Sequence, residues 1–338
     1  MKLTKFKGNP ILSPNPANDW ENLVTCNPAA WYESGKFSLL YRAAGNDPEH
    51  HIYIGLAESD DGFHFRRVQS APVLAPTPDN FDAGTVEDPR VVRFSNEYYL
   101  TYAFRPYSPG QYWKYEYDQV VAPPHAPEAP KCLSRNVGNT ALAVSTDLRT
   151  FKKIGRVTEP SLDDRDVILF PERIGGRFYM LHRPKEYVGA AYGTEYPAIW
   201  IKSSNDLMSW NVPSKLLMKG REWWEEKIGG SAPPLRTDAG WLMLYHGVDR
   251  NFVYRVGACI LDIDDPTKVL YRTRDFILEP ETPFEKEGLY KWGVVFPTGN
   301  VIVDGTLYVY YGASDQYCCV ATAHVDELIR FIKSNTRP

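Results

Sequence analysis

The 338-residue chain sets 38 Lys and Arg against 42 Asp and Glu, a formal net charge of −4 with histidines neutral. That balance provides no global field for nucleic acid or anionic membranes, although it leaves room for a local basic pocket. With 43% hydrophobic and 24% charged residues, the chain reads as a soluble globular protein, long enough for one large domain or two modest ones.

Nine Trp, 22 Tyr and 15 Phe, together with 24 Gly and 27 Pro, point to many short strands joined by tight turns. The start, "MKLTKFKGNPILSP", contains no apolar leader segment, and no stretch approaches the length of a membrane span. The five cysteines, Cys26, Cys132, Cys259, Cys318 and Cys319, show no C-x-x-C spacing and fit neither a disulfide framework nor a zinc site. A reduced, cytoplasmic setting is the expectation.

Along the chain one pattern recurs five times. A proline opens it, at Pro28, Pro89, Pro171, Pro233 and Pro297, with spacings of 61, 82, 62 and 64 residues. A polar turn follows: "ESGK" from Glu33, "SNE" from Ser95, "GGR" from Gly175, "DAG" from Asp238 and "DGT" from Asp304. Then comes an aromatic strand ("FSLLYR", "YYLTY", "FYMLHR", "WLMLYH", "LYVYYG") and a strand of small and apolar residues. In the first three repeats a further turn and strand close the unit: "DDGFHFRRV", "TDLRTFKKI" and "NDLMSWNVP". Gly, Asn and Asp at the turns supply the positive φ that hairpins need.

Each repeat therefore reads as a small antiparallel meander, and a long fixed period of such meanders predicts an all-β, five-bladed β-propeller. The "NPILSP" segment is expected to complete the last blade and close the ring, because an open ring leaves bare strand edges. A β-sandwich of the same hairpins is the alternative, but sandwiches seldom repeat themselves five times. The whole chain, 1–338, is then a single domain. Between the opening prolines of repeats two and three lies an insertion at about 105–136 with six prolines and five Tyr or Trp residues. It reads as a substrate lid, an oligomer contact or a plain surface excursion. At the C-terminus Val325, Leu328, Ile329 and Ile332 stand at helical spacing and predict one short packing helix.

In a propeller the innermost strands line a central channel, so the repeat openings and the ends of the aromatic strands are where polar groups converge. The openings contribute Asn27, Glu87 with Asp88, Glu172, Lys227 and the "FPTGN" run. The strand ends contribute Arg42, His182 with Arg183, His246 and Asp315, and Arg165 precedes the third opening. Arg165, Arg183, Lys227 and His246 would form a cationic set facing Asp88. Such a set is costly to assemble without an anion, and phosphate suits Arg and Lys.

"NPA" at 27–29, "LLYR" at 39–42, "EDPRV" at 87–91, "LFPE" at 169–172, "LHRP" at 181–184, "KIGG" at 227–230, "GWLMLYHG" at 240–247 and "YYGASD" at 310–315 stand in an order and spacing that are specific together. On these motifs the chain resembles glycoside hydrolase family 130, the β-mannoside phosphorylases and related β-mannosidases, over all but the insertion. The resemblance implies a five-bladed propeller. It implies that Asp88 is the general acid, acting through the sugar's own 3-hydroxyl. It further implies that Asn27, Arg42 and Asp315 hold the mannosyl unit, and that Arg165, Arg183, Lys227 and His246 bind inorganic phosphate. The expected reaction is inverting phosphorolysis of a β-mannoside or manno-oligosaccharide to α-mannose 1-phosphate, with phosphate as co-substrate and no metal or other cofactor. No nucleic-acid or membrane partner is expected, and a homo-oligomer is compatible with the family.

Two alternatives compete. A β-mannosidase of the same fold would draw a base from Glu172, Glu225 or Glu226 to activate water. A non-catalytic glycan-binding propeller would use aromatic platforms such as Trp31, Trp223 and Trp224. Glu87, next to Asp88 in an extended run, is expected to point to the opposite face.

Overall fold

A computed structural model of the chain describes residues 1–114 and 122–336. The turn sequences close hairpins as their composition requires. Both central residues have positive φ at Ser34–Gly35, Gly175–Gly176 and Asp304–Gly305, the backbone twist that suits two-residue hairpin turns. The result is all-β, and the longest helix is Val325–Ser334. That helix matches the predicted one and buries Leu328 and Ile332.

The strands fall into five antiparallel units. The first comprises Val24–Glu33, Lys36–Ala44, Ile52–Ser59 and Arg66–Arg67, and the second Thr85–Phe94, Glu97–Arg105, Asn139–Ser145 and Lys152–Arg156. A single parallel pair, Ile52 with Thr85, joins these two into one sheet. The third comprises Asp164–Leu169, Phe178–Pro184, Ile199–Ser204 and Lys215–Met218. In the fourth, Lys227–Gly230 and Leu235–Thr237 both pair with Gly240–Val248, followed by Tyr254–Leu261 and Val269–Arg272. The fifth comprises Val295–Val303, Thr306–Ala313 and Tyr317–His324.

The N-terminus completes the fifth unit, but not with the expected segment. Thr4–Lys5 forms the outer strand, pairing with Thr322 and Ala321. "NPILSP" adds only an isolated bridge between Leu12 and Cys318. Pro10 and Pro14 lack the N–H that a regular ladder needs, so the segment cannot continue as a strand.

Side chains on the two faces of each unit pack against the neighbouring units, and each contact between consecutive units has its own apolar cluster. Leu40, Ile54, Leu100 and Phe104 join units one and two. Val92, Leu142, Val167 and Met180 join two and three. Ile168, Leu181, Trp241 and Met243 join three and four. Leu244, Val256, Val309 and Tyr311 join four and five. Phe37, Leu39, Val301 and Tyr310 then join unit five back to unit one.

The first strands of units one, two and three carry the same irregularity. Pairing runs Cys26 with Arg42, Glu87 with Ala103 and Arg165 with Arg183, and in each case the register then slips by one. The next residue is left-handed each time: Asn27 at φ 47°, Asp88 at φ 51° and Asp166 at φ 60°. This is a β-bulge, which re-aims side chains beside a site. It also corrects the proline alignment. In unit three the counterpart of Asp88 is Asp166, and Pro171 with Glu172 lies beyond the end of the strand.

Of the insertion, residues 115–121 lie outside the described residues. Its first part packs on the first unit's 45–51 loop, with the Gly110 N–H donating to Glu49 O at 3.0 Å and Gln111 Nε2 to Asp47 O at 3.1 Å. No helix among the described residues is long and apolar enough to cross a membrane. The five cysteines are buried and unpaired.

Candidate functional site

One cavity of about 170 Å³ is lined by all eight residues singled out in the sequence: Asn27, Arg42, Asp88, Arg165, Arg183, Lys227, His246 and Asp315. Two walls can be distinguished.

The first wall comes from units one, two and five. The bulge aims Asn27 and Asp88 inward, and Asn27 Nδ2 donates to Asp88 Oδ1 at 2.8 Å. Arg42 Nη1 donates to the same oxygen at 3.3 Å and lies 3.2 Å from Glu87 Oε2. Glu87 therefore does not point away as strand alternation predicts. The left-handed turn at Asp88 breaks the alternation, and both carboxylates reach one guanidinium. Arg90 meets Asp88 at its backbone carbonyl, 2.8 Å from Nη1, not at its carboxylate. Opposite Asn27, a β-carbon on Gly312 would lie 1.8 Å from Asn27 Oδ1, so this approach requires glycine. Burial, reinforced by Asp88 and Glu87, pushes the Asp315 carboxyl up, against the pull of Arg42 and Arg165. Tyr112, in the insertion, accepts a hydrogen bond from Arg42 Nη2 at 3.4 Å.

The second wall comes from units three and four and is cationic. Asp163 holds Arg165 Nε at 3.1 Å and Lys185 Nζ at 2.7 Å. Asp166 lies 2.8 Å from Arg183 Nε, 3.3 Å from Arg90 Nη2 and 3.8 Å from His246 Nε2. Burial alone would raise the Asp166 carboxyl, but Arg183, His246 and Arg90 outweigh it and hold the group low, to about 2. His246 is fully buried, and neither ring nitrogen has a hydrogen-bond partner among the described residues. Burial, aided by Arg183, lowers its pKa to about 3, so the ring is neutral at pH 7. A β-carbon on Gly229 would lie 2.5 Å from His246 Cε1 and 2.6 Å from Asp166 Oδ2, so glycine is required here too. Lys227 sits over the Tyr254 ring at 5.6 Å, and burial followed by the charges of Arg183, Lys185 and Arg165 lowers its pKa to about 8.

Four sequence candidates fall elsewhere. His182 is buried on the other face, bonded to Asp164 Oδ2 and Ser214 Oγ at 2.8 Å each, because strand alternation sends it opposite to Arg183. Glu172 forms a surface ion pair with Arg236 at 2.8 Å. Glu225 is buried in a structural cluster with Arg272 at 2.6 Å and the Tyr245 hydroxyl at 2.7 Å, and Glu226 pairs with Arg250 at 3.3 Å. None of these three glutamates lines the cavity. Conversely, Asp166, Lys185, Tyr254 and Tyr290 line it without having been singled out. Aligning repeats on the register partner, Arg42, Ala103 and Arg183, instead of on proline would have exposed Asp166.

Electrostatically the cavity offers one wall suited to polyol hydroxyls with a carboxylate at 2.8 Å from an amide, and one suited to an anion.

Comparison with known proteins gives a consistent picture. A family model described as beta-1,4-mannooligosaccharide phosphorylase, that of glycoside hydrolase family 130, matches residues 3–124 and 128–334. A 1,2-beta-oligomannan phosphorylase from Thermoanaerobacter sp. is 35% identical over 335 residues, covering 97% of this chain and 99% of that protein. A beta-1,2-mannobiose phosphorylase from the same organism is 34% identical over 339 residues, with 97% and 99% covered. Among solved structures, the beta-1,2-mannobiose phosphorylase from Listeria innocua, in complex with beta-1,2-mannobiose, superposes with a TM-score of 0.80 at 26% identity, over 99% of this chain and 100% of that one.

Proposed function

The chain belongs to glycoside hydrolase family 130, and from that premise we propose that it is an inverting β-mannoside phosphorylase acting on β-1,2-linked manno-oligosaccharides. The two Thermoanaerobacter relatives named above support the β-1,2 linkage, whereas the family model's description names β-1,4.

The observation that carries the reading is the cationic wall. Arg165, Arg183, Lys227 and His246 face one cavity, with both ring nitrogens of a buried histidine unpartnered among the described residues. Buried polar atoms without partners call for a ligand, and beside two arginines and a lysine an oxyanion would accept from the N–H of the neutral imidazole. Phosphate bound there is itself the nucleophile. One phosphate oxygen attacks C1 as the bond from C1 to the glycosidic oxygen breaks, giving α-mannose 1-phosphate. The leaving oxygen takes a proton that originates at Asp88 and passes through the sugar's 3-hydroxyl, as the family resemblance implies. Asn27, Arg42 and Asp315 hold the mannosyl hydroxyls. Because the nucleophile is already anionic, no protein base is needed, and the cations contribute by orientation and charge stabilisation. The same chemistry draws on no metal.

A hydrolase would need a base for water opposite Asp88. Glu172, Glu225 and Glu226 lie outside the cavity, and Asp166 is held low by its cations, which makes it a poor proton acceptor. A glycan-binding module has no use for the anion wall.

For the scaffold we propose a single five-bladed propeller over 1–338. Five units with five inter-unit apolar clusters, the last joining unit five to unit one, support closure.

The test is incubation with β-1,2- and β-1,4-mannobiose, with and without phosphate, followed by phosphorus NMR. The expected outcome is α-mannose 1-phosphate from the β-1,2 sugar, only when phosphate is present. Free mannose released at equal rates in both conditions would overturn phosphorolysis.

A further inference from the structure

The cavity of about 170 Å³ is smaller than the roughly 300–1,000 Å³ typical of pockets that enclose a drug-sized ligand. It is too small to enclose an oligosaccharide chain. The rest of an oligosaccharide has to lie on the rim. We propose that Phe252 and Trp292 form a stacking platform there for the acceptor-side sugars of a manno-oligosaccharide. The proposal rests on the phosphorylase reading above and extends it to chain length.

Three observations converge. First, both rings are bare: Phe252 is 54% exposed and Trp292 55% exposed. Large aromatics so exposed and adjacent mark a contact surface. Second, the platform is continuous with the cavity through ring contacts. Phe252 lies 5.9 Å from Trp292, Trp292 5.1 Å from Tyr290, and Tyr290 5.6 Å from Tyr254. Tyr254 and Tyr290 line the cavity. The Tyr290 N–H donates to Ser314 O at 3.1 Å, so this wall runs beside Asp315, on the sugar side.

Third, the loop holds Phe252 outward against its backbone preference. Its φ is 62°, a left-handed value that a bulky aromatic rarely adopts. The turn is fixed from within: Asp249 Oδ1 accepts the Asn251 and Val253 N–H groups at 2.8 and 3.1 Å. The Tyr290 hydroxyl also donates to Phe252 O at 3.2 Å. The two exposed rings, tilted 57° to each other beside hydroxyl and amide groups, each offer a face to the apolar side of a pyranose.

A second path exists. A larger cleft of about 970 Å³ lies beyond the same loop, lined by Asp249, Arg250 and Asn251 and by Trp223, which is 68% exposed. Among the described residues no ring contact ties Trp223 to the cavity-lining tyrosines, and its ring packs on Phe276 at 6.2 Å.

The experiment compares β-1,2-mannobiose with β-1,2-mannotetraose, at saturating phosphate, for the unsubstituted protein, Phe252→Ala/Trp292→Ala and Trp223→Ala. The unsubstituted protein is expected to favour the tetrasaccharide in kcat/KM by about five- to tenfold, the scale of one or two aromatic contacts. The double variant is expected to keep mannobiose turnover within about twofold and lose that advantage. Quenching of tryptophan fluorescence by the tetrasaccharide should fall in parallel. An advantage that survives the double substitution overturns the platform, as does one that disappears only with Trp223→Ala. So does an oligomer that dissociates in the double variant while tetrasaccharide kinetics stay unchanged, which would make the rings a contact between copies. Failure of the unsubstituted protein to phosphorolyse mannobiose overturns the reaction itself, whereas loss confined to the longer sugar identifies the platform.

Discussion

The two walls of the cavity are built on opposite principles. On the sugar side the charged groups bond chiefly to one another: Asn27 and Arg42 converge on Asp88, and Arg42 also meets Glu87. On the cationic side Asp163 and Asp166 gather the cations, yet the His246 and Lys227 side chains are left facing the cavity with no hydrogen bond or ion pair shorter than 3.8 Å among the described residues. On the first wall the carboxylates are tied to Arg42, and Asn27 Oδ1 and Arg42 Nε are left without a partner among the described residues, open to the hydroxyls of the proposed sugar. The second would be completed by the proposed phosphate. A positioned acid is thus set by its neighbours, whereas an anion site is set by what its neighbours leave open.

The sharpest way to separate the walls is to remove the proton without disturbing the cations. Asp88→Asn keeps the shape and tolerates the left-handed backbone, since Asn is at home there. It is expected to lower kcat by about 10²–10⁴-fold with phosphate affinity intact, measured by initial rates and by calorimetric phosphate titration. A comparable loss of phosphate affinity would show the walls to be one unit. The converse change, Arg183→Ala, is expected to lower kcat/KM for phosphate by about 10²–10³-fold. Its mannose binding should hold, read by protection of the fold in a thermal shift with mannose.

A gentler probe is pH. Lys227 and Lys185 are both lowered to about 8, Lys227 first by burial and Lys185 first by Arg165. Below that pH they are charged and the anion wall is at full strength. As pH rises through about 8 they lose protons, so KM for phosphate is expected to rise by up to about tenfold per pH unit and per proton, with mannose affinity flat. Folding responds with the opposite sign. Between about 8 and the ordinary 10.5 the unfolded chain holds more protons than the folded one, so the Lys227 contribution to stability grows with pH. Parallel KM and melting measurements from pH 7 to 9 would separate the two.

Much of this site was legible from residues alone, because repetition and motif order are long-range signals that survive ignorance of register. All eight chosen residues meet in one cavity. What was missed traces to register. Proline marks each repeat in the sequence, but in unit three the proline lies past the strand end, so alignment on it points to Glu172 instead of Asp166. Strand alternation sends Glu87 away from the face of Asp88, but the bulge, which only the backbone reveals, breaks that alternation. His182 and Arg183 are neighbours with opposite fates, which a list of polar residues at strand ends cannot separate. The outer strand at Thr4–Lys5 carries no hydrophobic alternation and is made by its partner, not by its own propensity.

That outer strand also sets an order of events during synthesis. Asn9 bonds to Val320 through Nδ2, 311 residues further on. Lys5 lies 2.7 Å from Glu285. The Thr4–Lys5 strand therefore lacks its sheet partners, Thr322 and Ala321, until that part of the chain has been synthesised. At roughly 5–20 residues per second, that interval is tens of seconds, long enough for a holding chaperone to matter to yield even when the finished protein needs none.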